Sequence, residues 1–241
     1  MISVVFLGGK AIGGQCLEYL IQAAPALNIA IAGVGASPRG DAVRALARAA
    51  GIELFESPGE LPPCDYILSV QYHAIVRPDI LARARRDAIN LHLAPLPEYR
   101  GCNQFTLAIL NGDRQFGVTL HRMDAGVDTG AIIAERRFPI DDDIWVDDLV
   151  RRAEEEGAGL FRDSLPLILS GDYPAIEQSE LVAERGTSFC RRDAIEKLKE
   201  ARFDAPGEAI ARLIRASAMP GFAPPFARLG DRIVRFTVEK D

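Results

Sequence analysis

The sequence predicts an α/β fold: a doubly wound, mostly parallel sheet followed by a short C-terminal helix and β-hairpin extension. Short runs of aliphatic and β-branched residues alternate with stretches of helical periodicity, the mark of successive βαβ units. The 241 residues are 48% hydrophobic but only 7% aromatic, an aliphatic supply suited to strands covered on both faces. No repeat or low-complexity run breaks the pattern.

The elements follow in order. Residues 2–7 form a β-branched run closed by Gly8-Gly9, and Ile12, Cys16, Leu17 and Leu20 then recur at helical spacing. Residues 29–34 read as a second strand. A helix is expected over 41–50, with Asp41 as its N-cap and Gly51 as its stop. Residues 65–70 read as a strand, 78–85 as a helix, and 88–91 as a strand that empties into a proline-rich turn. Asn103 to Leu110 suggests a short helix ended by Asn111-Gly112. Residues 117–121 and 131–134 read as strands flanking a glycine-rich loop around Asp128. From 144 to 169 apolar positions recur at helical spacing, although Gly157, Gly159 and Pro166 weaken or bend the pattern.

Gly171-Asp172-Tyr173-Pro174 is the clearest break in the chain, which divides it into a main domain over 1–175 and an extension over 176–241. Residues 206–215 read as a helix. Segments 225–229 and 232–238, joined at Gly230-Asp231, read as a hairpin. Its alternating Val234, Phe236 and Val238 need a covering surface, either the parent domain or a second copy of the chain.

With 28 basic and 34 acidic residues the net charge is -6, which gives no broad field attractive to nucleic acid and favours small-molecule partners. No apolar run is long enough to span a membrane. Cys16, Cys64, Cys102 and Cys190 are widely spaced and no secretory signal precedes them, so reduced thiols and a cytoplasmic location are expected.

Chemistry concentrates in two stretches. Asn90-Leu91-His92 runs into Ala94-Pro95-Leu96-Pro97-Glu98-Tyr99-Arg100-Gly101, and Asp124-Ala125-Gly126-Val127-Asp128-Thr129-Gly130 lies downstream. On an extended segment Asn90 and His92 point to the same side, at the carboxyl end of a strand where α/β sheets bind ligands. A carboxamide and an imidazole can both donate to a developing oxyanion, and an aspartate can set the imidazole tautomer. Asp128 is the candidate for that partner, and Asp124 competes with it. Either aspartate could instead cap a turn. His121, on an alternating strand, is assigned a structural role, and His73 lacks comparable surroundings. Gly8-Gly9-Lys10-Ala11-Ile12-Gly13-Gly14 joins a strand to a helix but matches neither standard phosphate-loop spacing, so a tight turn is the simpler reading. Lys10 could still reach a substrate phosphate. The histidines and cysteines show no metal-ligand spacing, and no serine sits in a nucleophile elbow.

Asn90-Leu91-His92, the leucine-proline segment and Tyr99-Arg100-Gly101, followed at the right distance by Gly117-Val118-Thr119-Leu120-His121-Arg122-Met123-Asp124-Ala125-Gly126-Val127-Asp128-Thr129-Gly130, resemble the folate-dependent formyltransferase family. Pro220-Gly221-Phe222-Ala223-Pro224-Pro225 also resembles an element of that family, and Ala94-Pro95-Leu96-Pro97, in place of the Ser-Leu-Leu-Pro often seen in tRNA enzymes, together with Arg100-Gly101-Cys102-Asn103-Gln104-Phe105 makes the chain most similar to the short sugar N-formyltransferases. The resemblance implies a Rossmann-like fold and catalysis by Asn90, His92 and Asp128. It implies 10-formyltetrahydrofolate as donor, with no metal, and a primary amine as acceptor. Preorganised oxyanion donors of this kind are each worth roughly 3 kcal/mol of barrier. Lys10, Tyr72, His73, Arg100, Gly101, Cys102 and Asn103 are expected at the acceptor, and Arg86, Ala88, Ile89, Asp124, Gly126 and Thr129 at the folate. The expected acceptor is a dTDP- or GDP-linked amino-deoxyhexose such as dTDP-4-amino-4,6-dideoxyglucose, for surface polysaccharide including lipopolysaccharide O-antigen, with a homodimer as the assembly. Methionyl-tRNA, glycinamide ribonucleotide and hydroxyornithine are alternative acceptors. The short tail and acidic balance count against tRNA. A non-catalytic sugar-nucleotide or folate-binding module would be betrayed by a broken triad, and here all three residues are present.

Overall fold

The computed structural model describes residues 1–237, so Val238 of the expected hairpin lies outside the described residues. Strand and helix alternate through β1 (Ile2–Gly8), α1 (Lys10–Ala23), β2 (Ile29–Ala36), α2 (Asp41–Ala49), β3 (Leu54–Phe55), β4 (Cys64–Val70), α3 (Pro78–Leu81) and β5 (Ala84–His92). The chain continues through β6 (Arg100–Gly101), α4 (Gln104–Asn111), β7 (Gln115–Arg122), β8 (Ile132–Pro139) and the long α5 (Val146–Ser170). After it come α6 (Gln178–Arg185), β9 (Phe189–Cys190), α7 (Ile195–Leu198), β10 (Glu200–Ala201), α8 (Gly207–Ser217) and the hairpin β11 (Phe226–Leu229) and β12 (Arg232–Arg235).

Among the described residues seven strands form the main sheet, in the order β3-β2-β1-β4-β5-β7-β8. The first five pair in parallel, and β7 runs antiparallel to both β5 and β8. The predicted doubly wound, mostly parallel, Rossmann-like sheet is therefore present, with an antiparallel edge. Strand order reverses between β1 and β4, which opens a crevice at their carboxyl ends.

The two faces are unequal. Val4, Phe6, Leu68, Ile89, Leu91, Val118 and Leu120 point into the large core, packed with Ile12 and Leu17 of α1, Val43 of α2, Ala108 of α4 and Leu149, Phe161 and Leu165 of α5. The alternate positions Val5, Leu7, Ile67 and Ala88 meet only Leu61, Val76, Ile80 and a few neighbours. Asn90 and His92 share the parity of Ala88 and so lie on the thinly covered face.

Two local expectations are corrected. Gly40 is the N-cap of α2, and Asp41 begins the helix, pairing with Arg44 at 2.6 Å. The helix expected over 78–85 is the single turn α3, because Ala84 already belongs to β5, whose pairing with Cys64 of β4 overrides the local propensity. Beyond Gly171, which takes φ 80 at the end of α5, the chain stays on the sheet. Tyr173 donates its hydroxyl to Asp87 at 2.7 Å, and Ile176 bridges to Ile132.

Candidate active site

The site is built where β5 ends beside β7. Their antiparallel register sets Asn90 opposite His121 and His92 opposite Thr119, so alternation delivers both histidines and the asparagine to one face. Asp128 arrives from the loop between β7 and β8. Its backbone takes φ 53, a left-handed conformation that aspartate tolerates better than most residues.

His92 is 5% exposed, and both ring nitrogens face protein atoms. Its Nε2 lies 2.7 Å from the Tyr99 carbonyl, which can only accept, so that nitrogen carries the proton in the neutral ring. Nδ1 then faces Asp128 Oδ2 at 3.6 Å as a lone pair. The Gly101 N–H donates to the same Oδ2 at 2.9 Å. Burial disfavours the Asp128 carboxylate, but the His92 ring, then the His121 ring, and last the Gly101 N–H outweigh it and hold the carboxyl well below its usual range. Burial also lowers the pKa of His92, with Asp128 opposing that shift. A neutral imidazole beside an ionised carboxylate is thus the resting arrangement near neutral pH.

His121, assigned a structural role from sequence, is part of this cluster. Its Nε2 lies 3.2 Å from Asn90 Nδ2 and 3.5 Å from Asp128 Oδ1. Only the strand register reveals this, because sequence spacing gives no sign that residues 90 and 121 are opposite.

Three supports hold the Asp128 loop. Gly130 is required because a Cβ there would stand 2.0 Å from the Arg122 carbonyl oxygen, so this glycine lets the loop close against β7. Asp124 accepts from the Gly126 N–H at 2.9 Å and from the Thr129 hydroxyl at 2.6 Å, which makes it a loop cap and not the partner of His92. Gln178, 6% exposed at the start of α6, donates to the carbonyls of Asp128 and Gly130 at 2.9 and 2.8 Å. The loop carrying Tyr99 to Gly101 is fixed in turn by β9, which pairs in parallel with β6. Gly101 sits at φ 85, and any Cβ would stand 2.4 Å from the Cys190 carbonyl. The Cys102 N–H donates to that carbonyl, and Asn103 donates to the Arg191 carbonyl at 2.9 Å. Gln178 and residues 188–191 carry no motif, which is why the sequence reading missed them.

A cavity of about 120 Å³ opens on the cluster. Ile75, Val76, Met123 and Val127 form its apolar walls, and Asn90, His121, Asp124 and Asp128 its polar ones, with Gly126 at the edge. His92 stands behind Asp128 and does not line it. A larger open concavity, about 450 Å³, lies by the start of α5 among charged side chains such as Asp141, Arg152 and Glu156, none of them in the cluster.

The other expected residues are dispersed. Arg86 reaches the Leu169 carbonyl at 3.3 Å and stacks over Tyr66, at the opposite end of β5. Ile89 is buried in the core, and the Ala88 carbonyl accepts from the Met123 N–H. Neither of these, nor Arg86, lines the cavity. Lys10, Tyr72 and His73 gather at the crevice between β1 and β4. There Lys10 donates to Gln71 at 2.7 Å, the Tyr72 and His73 rings meet at 4.9 Å, and the His73 N–H donates to Ser37. Among the described residues the buried Arg100 Nε has no acceptor. Among the described residues no group of three His, Cys, Asp or Glu side chains could hold a metal ion, and no helix is long and apolar enough to cross a membrane.

Residues 43–165 match the family model described as formyl transferase. A methionyl-tRNA formyltransferase of Acidiphilium cryptum is 32% identical over 195 residues, 81% of this chain. The chain belongs to the formyl transferase family. It spans 58% of the length of that relative. Among solved structures, a sugar N-formyltransferase from Shewanella shares the fold at TM-score 0.82 and 16% identity, covering 100% of this chain and 98% of that one. An N-formyltransferase from Helicobacter canadensis, in complex with folinic acid and dTDP-3-aminofucose, has TM-score 0.74 and 24% identity, covering 90% of this chain and 80% of that one.

Replacing Gln178 by Leu strands two carbonyls and should cost about 1–3 kcal/mol. Gly130→Ala should displace the loop outright. Both variants are expected to lower the melting temperature and, among molecules still folded, the turnover; unchanged turnover in a folded Gly130→Ala protein would mean that the loop position is immaterial.

Proposed function

We propose that this member of the formyl transferase family moves a formyl group from 10-formyltetrahydrofolate to the primary amine of a nucleotide-linked amino-deoxysugar, of which dTDP-4-amino-4,6-dideoxyglucose is an example. The reading rests on the Asn90, His92 and Asp128 cluster, closed around an ionised carboxylate at the edge of a partly apolar cavity. The cavity suits a flat heteroaromatic ring held between Val76, Met123 and Val127, with Asn90 and Asp128 at its polar end. When bound, the donor supplies an activated formyl carbon next to a nitrogen leaving group.

In this scheme Asn90 donates an N–H to the oxygen that gains negative charge as the amine attacks. Asp128 takes a hydrogen bond from the amine and steadies its growing positive charge. The proton is then accepted by the pair, where the His92 Nδ1 lone pair lies beside Asp128 and the resulting imidazolium is bonded on one side to the Tyr99 carbonyl; the pair returns it to the departing nitrogen as the carbon–nitrogen bond to the donor breaks and the oxyanion re-forms the carbonyl of the new formamide. His92 therefore acts as the proton acceptor and not as an oxyanion donor, since its Nε2–H is already committed. A sugar nucleotide as acceptor is supported by the full-length similarity to the Shewanella sugar N-formyltransferase and by the unpaired Arg100 Nε, a donor suited to an anionic group. Methionyl-tRNA is the second reading, favoured by the 32% identical relative.

The deciding assay offers 10-formyltetrahydrofolate with amino-sugar nucleotides, amino acids and charged initiator tRNA, and reads one added formyl group by mass spectrometry. Transfer to the sugar nucleotide is expected; transfer to tRNA alone would overturn the acceptor. Asn90→Ala should lower kcat by about 10²–10³. Because protonated His92 cannot accept a proton, kcat/KM should fall on the acid side with a midpoint below the ordinary 6.5, and Asp128→Asn should move it lower still. A midpoint above that value would remove His92 from this role.

The same proposal includes a cytoplasmic homodimer. Leu229 and Val234, 61% and 40% exposed, share one face of the hairpin, and Ile233, 49% exposed, lies on the other, so the edge strand β12 presents apolar side chains beside its open backbone edge. Sedimentation at micromolar concentration should give twice the chain mass, and a monomer would refute the dimer.

A further inference from the structure

We infer that His121 is a positioning residue for Asn90: it dictates which end of the carboxamide faces the reacting atoms. The inference rests on the formyl-transfer reading of the site and adds a residue to it. His121 is 2% exposed and directly opposite Asn90 in the β5–β7 pair. Its Nδ1 lies 2.7 Å from the Arg122 carbonyl, an acceptor only, so Nδ1 carries the ring proton. Nε2 is then a lone pair, and the amide group 3.2 Å away must present Nδ2. Turned the other way, the Asn90 carbonyl oxygen would meet that lone pair, two acceptors facing each other without a proton between them.

The consequence reaches the chemistry. One N–H of Asn90 is bound to His121, which fixes the amide plane, and the second N–H of the same nitrogen is left for the developing oxyanion. The lone pair also lies 3.5 Å from Asp128 Oδ1 and can give it no hydrogen bond, so that oxygen stays available to the amine. The Arg122 carbonyl that sets the tautomer is the group against which Gly130 closes, which couples His121 to the position of the Asp128 loop.

The test compares His121→Leu, which removes the acceptor, with His121→Gln, whose side-chain oxygen can replace it. In His121→Leu kcat should fall about 10- to 100-fold with KM for the donor changed by less than about threefold, and His121→Gln should recover most of that loss. In an Asn90→Ala background His121→Leu should change kcat by less than about twofold, because a residue acting through Asn90 has nothing left to position. Nitrogen-15 shifts of the His121 ring in the wild-type protein, which need neither activity nor a variant that folds, should report the Nδ1–H tautomer at neutral pH. An Nε2–H or doubly protonated ring, an equal loss in the Asn90→Ala background, or full kcat in a folded His121→Leu protein would each overturn the role. An inactive wild-type protein would overturn the formyl-transfer reading and the role with it, whereas an active wild type with an insensitive His121→Leu variant would overturn the role alone.

Discussion

The Asp128 carboxylate is 14% exposed, and a charge so withdrawn from water must be met by donors or cations from the protein. In the resting site the donor is one backbone N–H, and the two neighbouring rings turn lone pairs toward the carboxylate, so its remaining capacity is kept for the substrate amine. The Gly101 N–H bonds one oxygen, His92 stands beside the same oxygen, and His121 borders the other. Each of these depends on a further constraint: Gly101 on β9, His92 on the Tyr99 carbonyl, His121 on the Arg122 carbonyl. Ionising one buried carboxylate thus requires segments near residues 90, 100, 121 and 190 to take up a single arrangement. A site assembled in this way is preorganised, because the donors are already oriented before any substrate enters.

Unequal covering of the sheet makes room for it. On one face α1, α2, α4 and α5 bury the alternate strand positions in a large aliphatic core. On the other, a small cluster under α3 covers Val5, Leu7 and Ile67 but stops short of the β5 end. Polar residues that alternate onto this thin face are not forced into hydrocarbon. A cavity forms there with apolar walls on one side and Asn90, His121 and Asp128 on the other. Stability is supplied by the thick face and chemistry by the thin one, and the period-two alternation of a strand connects them.

The part of the chain beyond Gly171 contributes to the site as well as to the surface. Gln178 holds two carbonyls of the Asp128 loop, and β9 holds β6 in register. Both act through backbone groups, whose positions do not depend on a recognisable side-chain pattern. A glutamine at a helix start and a two-residue strand have nothing in their spacing to distinguish them from surface residues.

Local sequence by itself determined the alternation of strands and helices, the helical run ended by Gly171, the hairpin turn at Gly230 and the pairing of Asn90 with His92 on one strand face, because these depend on periodicity and on turn residues acting over a few positions. Asp128 was legible as a candidate from its glycine-rich loop, but its competitor Asp124 was separated from it only by three-dimensional distance. Tertiary structure alone decided that β7 runs antiparallel beside β5, that His121 therefore faces Asn90, that the segment over 78–85 yields to strand pairing, and that Arg86 lies at the far end of β5 from the cavity. The physical reason is common to all of these. Register and strand order are set by which buried faces pack and which backbone groups find partners, and these are sums over contacts distant in sequence.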